Sequence, residues 1–252
     1  MIRVIKIGGR AQGDPALASA IAASAAQASL CVVHGGGDEV TALQRALGHE
    51  PRFVGGRRAT SRGELDVVRM VLSGTVNKRL VRILGDAGAR AVGISGEDAS
   101  LLHCKVFGDG SLGAVGEPVS ADPAVLHTLL DAGFTPVISP LGLLDDGSGC
   151  NVNGDDAASA IAAALRADEL LLVADVAGVL DARGALMTHL DRAEVDALIG
   201  SGVARDGMVA KLEAALRALA LGVQRVRIGD IASITSSRAG TAITAATPAV
   251  TH

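Results

Sequence analysis

Val4-Ile5-Lys6-Ile7-Gly8-Gly9 sets a lysine inside an otherwise apolar run and closes the run with two glycines. A stretch this apolar reads as a buried strand, where an ammonium group is costly unless an anion meets it. The glycines let backbone N–H groups come close to such an anion, as in glycine-rich turns that cradle phosphate. Taken alone, the same residues also fit an edge strand whose lysine reaches water. The junction recurs at His34-Gly35-Gly36-Gly37, after the run Leu30 to His34 and ahead of a helix. Its free N–H groups at a positive helix end suit a carboxylate or a phosphate, with His34 itself structural.

Outward from these junctions, strands and helices alternate. Asp14-Pro15 caps an Ala-rich helix running to about Ala28; Glu39 to Leu47 forms a helix stopped at Gly48, and Glu64 to Leu84 a longer one stopped by Gly85 and Gly88. A strand follows at Arg90 to Ile94. His103 to Phe107 and Ala114 to Val119 flank Gly108-Asp109-Gly110 as a hairpin. A second Asp-Pro cap, at residues 122 and 123, starts a helix ending at Gly133, before the strand Thr135 to Ser139. Asp155 to Leu165, Leu170 to Ala174, Asp191 to Ile199, Gly207 to Leu221 and Val223 to Ile228 continue the alternation. The expected class is α/β, with a mostly parallel sheet covered by helices on both faces. Ligands in such sheets bind beyond the carboxyl ends of the strands, and a functional division near residue 165 fits the charged junctions in both halves.

Composition narrows the function. The chain has 252 residues, 49% of them hydrophobic, yet only three aromatics, all phenylalanine. Ala, Val, Leu and Ile therefore build the core. A net charge of −4, a pI of about 5.8 and the lack of any Lys/Arg block argue against a nucleic-acid surface, so a small-molecule partner is expected. Cys31, Cys104 and Cys150 show no CxxC or zinc spacing and are expected to be reduced thiols. The segment 16–33 is apolar, but its Ser and Gln residues and its position behind a strand fit neither a membrane span nor a signal peptide. The expected location is cytoplasmic.

Two nucleotide motifs fail on context. Gly108 to Gly113 matches G-x-G-x-x-G, but a Pro-containing extended segment follows instead of a helix. A Walker A loop is absent because no Gly-Lys pair occurs. Three other groups carry chemistry. Arg57-Arg58 offers a guanidinium to a carboxylate, with one of the two arginines expected in solvent. Asn151-Val152-Asn153-Gly154-Asp155-Asp156 places more amides and carboxylates at a helix start than a cap requires. Lys211 lies one turn into the helix begun at Gly207-Met208.

These stretches, with Gly56 to Thr60, Gly74-Thr75-Val76-Asn77-Lys78, Asp175 to Leu180 and Asp206 to Lys211, occur in one order along the chain. That order resembles the N-acetylglutamate-phosphorylating members of the amino acid kinase family from end to end. The resemblance implies a three-layer αβα sandwich and a single amino acid kinase domain, 1–252. Within it, 1–165 would bind the acylated amino acid and carry a homodimer contact, and 166–252 would bind ATP. It implies transfer of the ATP γ-phosphoryl group to the side-chain carboxylate of N-acetyl-L-glutamate in arginine biosynthesis, with Mg²⁺ held mainly through phosphate oxygens and no protein metal site.

Residue by residue, the resemblance gives Lys6 and Lys211 the transferring phosphoryl group, and Asp155 the task of holding both lysines. Gly36, Gly37, Arg58 and Asn151 would hold the acylated amino acid. Gly8 and Gly9 would donate to the phosphates, while Asp175, Val176, Gly178, Val179, Leu180, Val203, Arg205 and Met208 would line the nucleotide side. Arg10 departs from the family pattern. Residues 46–53 and 76–81 also look like the related aminoadipate kinase of lysine biosynthesis, whose carrier-protein substrate would want a basic rim such as Arg52, Arg57, Arg58 and Arg62. N-succinylglutamate remains a further acceptor, and a nucleotide or amino acid sensor a reading of another class. With five residues ahead of Lys6, the expectation is a dimer without arginine feedback.

Overall fold

Strand parity fixes which way the first lysine points. Val4 packs with Cys31, Val33, Leu170 and Leu172 on one face of the sheet, and Ile5 and Ile7 pack with Val32, Leu171 and Val173 on the other. Lys6, two residues from Val4, therefore leaves the strand on Val4's side. The structure is a computed structural model that describes residues 1–205 and 207–244.

In chain order the strands are β1 (Ile2–Ile7), β2 (Ser29–His34), β3 (Phe53–Val54), β4 (Arg57–Arg58), β5 (Ala91–Ser95), β6 (Leu102–Val106), β7 (Val115–Ala121), β8 (Thr135–Ser139), β9 (Leu141–Leu144), β10 (Gly149–Val152), β11 (Glu169–Val173), β12 (His189–Leu190), β13 (Val226–Gly229) and β14 (Thr241–Ile243). Eight of them form one sheet in the order β12-β14-β13-β11-β1-β2-β8-β5, in which only the β13–β14 pair is antiparallel among the described residues. Strand order reverses at β1, whose neighbours β2 and β11 lead to opposite ends of the sheet; such a reversal opens a crevice at the carboxyl ends of the strands.

The helices are α1 (Ala16–Ala25), α2 (Gly37–Ala46), α3 (Arg62–Arg69), α4 (Asn77–Asp86), α5 (Ala124–Asp131), α6 (Gly154–Ala164), α7 (Arg192–Gly200), α8 (Gly207–Ala220) and α9 (Ala232–Thr235). One core joins the sheet to α5, α6, α7 and α8, and the other joins it to α1, α2, α3, α4 and α9. That is the αβα sandwich expected from the alternation. Lys6 thus faces α6 and α8.

Three differences from the sequence reading have local causes. The expected helix from Glu64 to Leu84 begins at Arg62, because Ser61 and Glu64 close a capping box. It passes through a π-helical stretch, Met70–Val76, before α4. Gly85 stays helical, and the chain turns at Gly88, whose φ is 94°. Second, β6, β7, β9 and β10 close into a small barrel, of which the sequence showed only the β6–β7 hairpin. Glycines allow it to close: a Cβ on Gly142 would meet Cys104 Sγ at 2.7 Å, and one on Gly116 would meet Cys104 Cβ at 2.9 Å. Third, this closure brings together Cys104 and Cys150, distant in sequence. All three cysteines are free and buried, and a hydrogen bond with Cys150, together with burial, pushes the Cys104 thiol up.

Candidate active site

Asn153 starts the site by capping α6: its Oδ1 accepts from the backbone N–H of Asp155 at 2.8 Å and of Asp156 at 3.2 Å. The cap fixes two consecutive carboxylates at the helix start. Asp155 receives Lys6 Nζ at 2.9 Å on Oδ1, and Lys211 Nζ at 3.1 Å on Oδ2. Lys6 arrives from β1, Lys211 from the first turns of α8, and all three side chains are close to buried, at 10%, 13% and 6% exposure for Lys6, Lys211 and Asp155. Gly154 leaves room for this convergence, since a Cβ there would lie 3.0 Å from Lys6 Cε. Burial would raise the Asp155 carboxyl, but the two ammonium groups outweigh it and hold it at about 2. Burial and the Lys6 charge lower Lys211, against the pull of Asp155. Two cations share one anion, which leaves a net positive point for a further anion.

Beside it lies a cavity of about 170 Å³ lined by Gly35, Gly36, Gly37, Arg58, Asn151 and Asn153, with apolar walls from Val40, Val68 and Leu72. The β3–β4 hairpin covers it through Phe53 and Gly56. Arg58 is buried, lies over the Phe53 ring at 4.6 Å, and donates to Gly37 O at 2.7 Å and Thr41 Oγ1 at 2.8 Å, as well as to Gln44 Oε1. Gln44 passes the interaction to Glu64 at 3.0 Å. Among the described residues no carboxylate stands within ion-pair distance of Arg58, so this buried guanidinium keeps its charge for whatever enters the cavity. Asn151 is oriented by Thr60, to whose Oγ1 it donates at 3.1 Å.

His34 supports the glycine turn from below, as a structural residue. Its Nδ1 lies 2.9 Å from Gly35 O and its Nε2 3.1 Å from Asn77 Nδ2, which assigns the proton to Nδ1. Burial lowers His34 to about 4 from an ordinary 6.5. The unfolded chain therefore takes this proton first as pH falls, so the contribution of His34 is intact above about 6.5 and is lost between 6.5 and 4. Urea midpoints measured from pH 7 to 4 should decline, and His34→Gln should flatten that decline; parallel slopes would refute it.

On the other side of the glycine turn a cleft of about 390 Å³ is lined by Gly8, Gly9, Arg10, Asp38, Asp175, Val176, Met208 and Lys211, with Gly37 shared between cleft and cavity. Lys211 lines the cleft, and Lys6 stands against Gly154, which lines the cavity, so the lysine pair lies between the two spaces. Arg10 faces Asp175 at 3.4 Å across the exposed rim. Gly178, Val179, Leu180, Val203 and Arg205 do not line this cleft. Val179 is tied by its N–H to Thr241 Oγ1 at 2.8 Å, and Arg205 folds back on Gly202 O at 2.7 Å. Asp206 lies outside the described residues. Neither arginine of the Arg57-Arg58 pair is in solvent, against expectation: Arg57 reaches Asp156 at 2.6 Å. Sequence reading passed over Gln44 and Thr41, which carry no motif and act only through Arg58, and gave Asn77, inside the Gly74–Lys78 motif, no role at His34.

A crevice at a strand-order reversal, with glycine turns and paired lysines, is an arrangement suited to holding phosphate groups. A sequence model described as the amino acid kinase family matches residues 1–230. The chain belongs to the amino acid kinase family. Among similar amino acid kinases, the acetylglutamate kinase of Jannaschia sp. (strain CCS1) is 44% identical, over 90% of this chain and 81% of that protein. That of Paracoccus denitrificans (strain Pd 1222) is 47% identical, over 90% and 76%. Of solved structures, smu.665 from Streptococcus mutans UA159 superposes with a TM-score of 0.87 at 31% identity, covering 97% of this chain and 99% of that one. N-acetylglutamate synthase from Neisseria gonorrhoeae, solved with coenzyme A and N-acetyl-glutamate, gives 0.81 at 25%, covering 98% and 60%. Among the described residues no helix is long and apolar enough to cross a membrane, and no group of three or more His, Cys, Asp or Glu could hold a metal ion.

Proposed function

We propose that this chain transfers the γ-phosphoryl group of ATP to the side-chain carboxylate of N-acetyl-L-glutamate, forming N-acetyl-L-glutamyl 5-phosphate in the arginine biosynthetic route. The observation that carries the reading is the Lys6–Asp155–Lys211 triad, with Lys211 lining the nucleotide cleft and Lys6 against Gly154 of the acceptor cavity. An acceptor carboxylate is ionised at neutral pH, so no general base is required. The chemical problem is the approach of two anions. Lys6 and Lys211 neutralise the transferring group, Asp155 keeps both in place, and Gly8 and Gly9 offer N–H groups to the phosphates. Arg58 meets the α-carboxylate, while Gly36, Gly37 and Asn151 hold the acylated amino end. Asp175, Val176 and Met208 line the nucleotide side; for Gly178, Val179, Leu180, Val203 and Arg205 the nucleotide role rests on the family resemblance alone. Mg²⁺ fits as an ion carried on phosphate oxygens, since of the two buried carboxylates opening α6, Asp155 is already claimed by two lysines and Asp156 by two arginines; bound there it would supply further charge neutralisation.

On this reading residues 1–165 hold the acceptor, and the dimer contact of a homodimer, and residues 166–252 hold the nucleotide, in the cytoplasm. A carrier-linked acceptor is less well served. Of the four arginines that would form a basic rim, Arg57 and Arg58 turn inward, and Arg62 already faces Asp146 at 3.9 Å.

Mixing the protein with ATP, Mg²⁺ and N-acetyl-L-glutamate should give an acyl-phosphate signal in ³¹P NMR that needs all three; hydrolysis of ATP alone would reject the proposal. Arg58→Lys should raise the acceptor KM by about 10–100-fold, from the loss of charge-assisted hydrogen bonds, with the ATP KM little changed. An unchanged acceptor KM would remove Arg58 from the binding site.

A further inference from the structure

Two neighbouring carboxylates open α6, and the reaction described above uses only one of them. Asp156 is 7% exposed, and it too bridges two elements. On one side Arg57 of β4 brings Nη2 to 2.6 Å from its Oδ2, with the guanidinium stacked over the Phe107 ring at 4.3 Å. On the other, Arg217 of α8 contacts its Oδ1. The layout parallels the first carboxylate: Asp155 ties α8 to β1 through Lys211 and Lys6, and Asp156 ties α8 to the acceptor hairpin through Arg217 and Arg57.

The link is incompletely made in this state. Arg57 Nη1 is buried without a hydrogen-bond partner among the described residues, and the contact to Asp156 Oδ2 is a close charge pair lacking hydrogen-bond alignment. Buried donors are normally satisfied, so a small shift of the hairpin or of α8 that aligned the pair would gain a bond otherwise lost. The hairpin covers the acceptor cavity through Phe53, Gly56 and Arg58, whereas α8 lines the nucleotide cleft through Met208 and Lys211. A shift of either is a shift of one binding wall.

We propose that Asp156 is a positioning residue: with Arg57 and Arg217 it clasps the acceptor hairpin to the helix carrying Lys211, so that filling the nucleotide cleft and closing the hairpin favour each other. The proposal rests on the kinase reading for what the two spaces hold. By linkage each ligand then tightens the other by the same factor, typically 5–150-fold for coupled sites. The clasp acts on substrates only through the lysine and the arginine it aligns.

The test uses the full chain and a non-hydrolysable ATP analogue. In the wild type the analogue should slow amide hydrogen exchange over residues 53–58, although it binds on the far side of the glycine turn. Asp156→Asn and Arg217→Leu should abolish that slowing, and N-acetyl-L-glutamate should then tighten analogue binding less than 2-fold instead of at least about 5-fold. Arg217 is 42% exposed, so its variant keeps a folded protein in hand if Asp156→Asn unfolds. A purely structural role would lower the melting temperature and leave the nucleotide-dependent slowing in place. Slowing that survives in both variants, or that is missing from the wild type, overturns the clasp. Failure of the acceptor assignment looks different: the hairpin still responds to nucleotide, but no acyl phosphate forms from N-acetyl-L-glutamate.

Discussion

Replacing Lys6 with methionine is expected to lower kcat by about 10²–10³-fold while the KM values for ATP and acceptor stay within a few-fold. Methionine keeps the length and apolar bulk of the lysine stem, so β1 should pack as before between Val33 and Leu172, its register partners. What disappears is one of two ammonium groups beside Asp155, against Gly154 of the cavity wall. Such a charge is worth most when two anions are forced together, and little when either substrate sits alone, which is why the loss should appear in kcat. A single-turnover measurement with saturating substrates separates the two cases. A large rise in KM with kcat preserved would make Lys6 a binding residue and remove it from the transition state.

Asp155→Asn should cost more, because it damages both chemistry and fold. The side chain is nearly isosteric, but two buried ammonium groups then face one another without a counter-charge. Removing one partner of a buried ion pair typically costs about 3–5 kcal/mol. Lys211, already lowered by burial and by Lys6, loses the carboxylate that opposes that shift, so its ammonium proton leaves at lower pH. The variant should therefore show a lower melting temperature and an activity that falls away as pH rises, where the parent stays level. In the parent, the Asp155 carboxyl near 2 lies below its ordinary 3.8. Its contribution, on the order of 2 kcal/mol, is complete above about pH 3.8 and is lost as pH falls from there to 2. Wild-type activity and melting temperature in the Asn variant would contradict the triad.

Much of this site was legible because its parts sit at strand-to-helix junctions, where a local stretch of sequence carries its own chemistry. Lys6 in an apolar strand, the glycines at 35–37 and Asn153 ahead of two aspartates each demand an anion or a helix start without reference to the rest. The long helices and the parallel sheet followed from apolar period and caps. Less visible was anything assembled across the fold. One of Arg57 and Arg58 reads as a solvent arginine until Asp156 and Arg217, far along the chain, are brought beside Arg57. The barrel escaped notice because β9 and β10 have four residues each and depend on Gly116 and Gly142 for closure. The π-helical stretch was hidden for another reason: Leu72 and Val76 keep a helical period while packing against Gly36, where a Cβ would lie 2.8 Å from Leu72 Cδ2. Gln44 and Thr41 have no signature at all, since their role is to hold Arg58.

Which acceptor the site phosphorylates is decided by trapping the acyl phosphate with hydroxylamine. N-acetylglutamate, N-succinylglutamate, N-acetylaminoadipate and free glutamate are compared side by side with ATP and Mg²⁺. ATP-dependent hydroxamate is expected with a clear preference for N-acetylglutamate, formed about 10²–10³-fold more slowly by Lys6→Met. Hydroxamate from another acceptor with none from N-acetylglutamate would contradict the acceptor assignment.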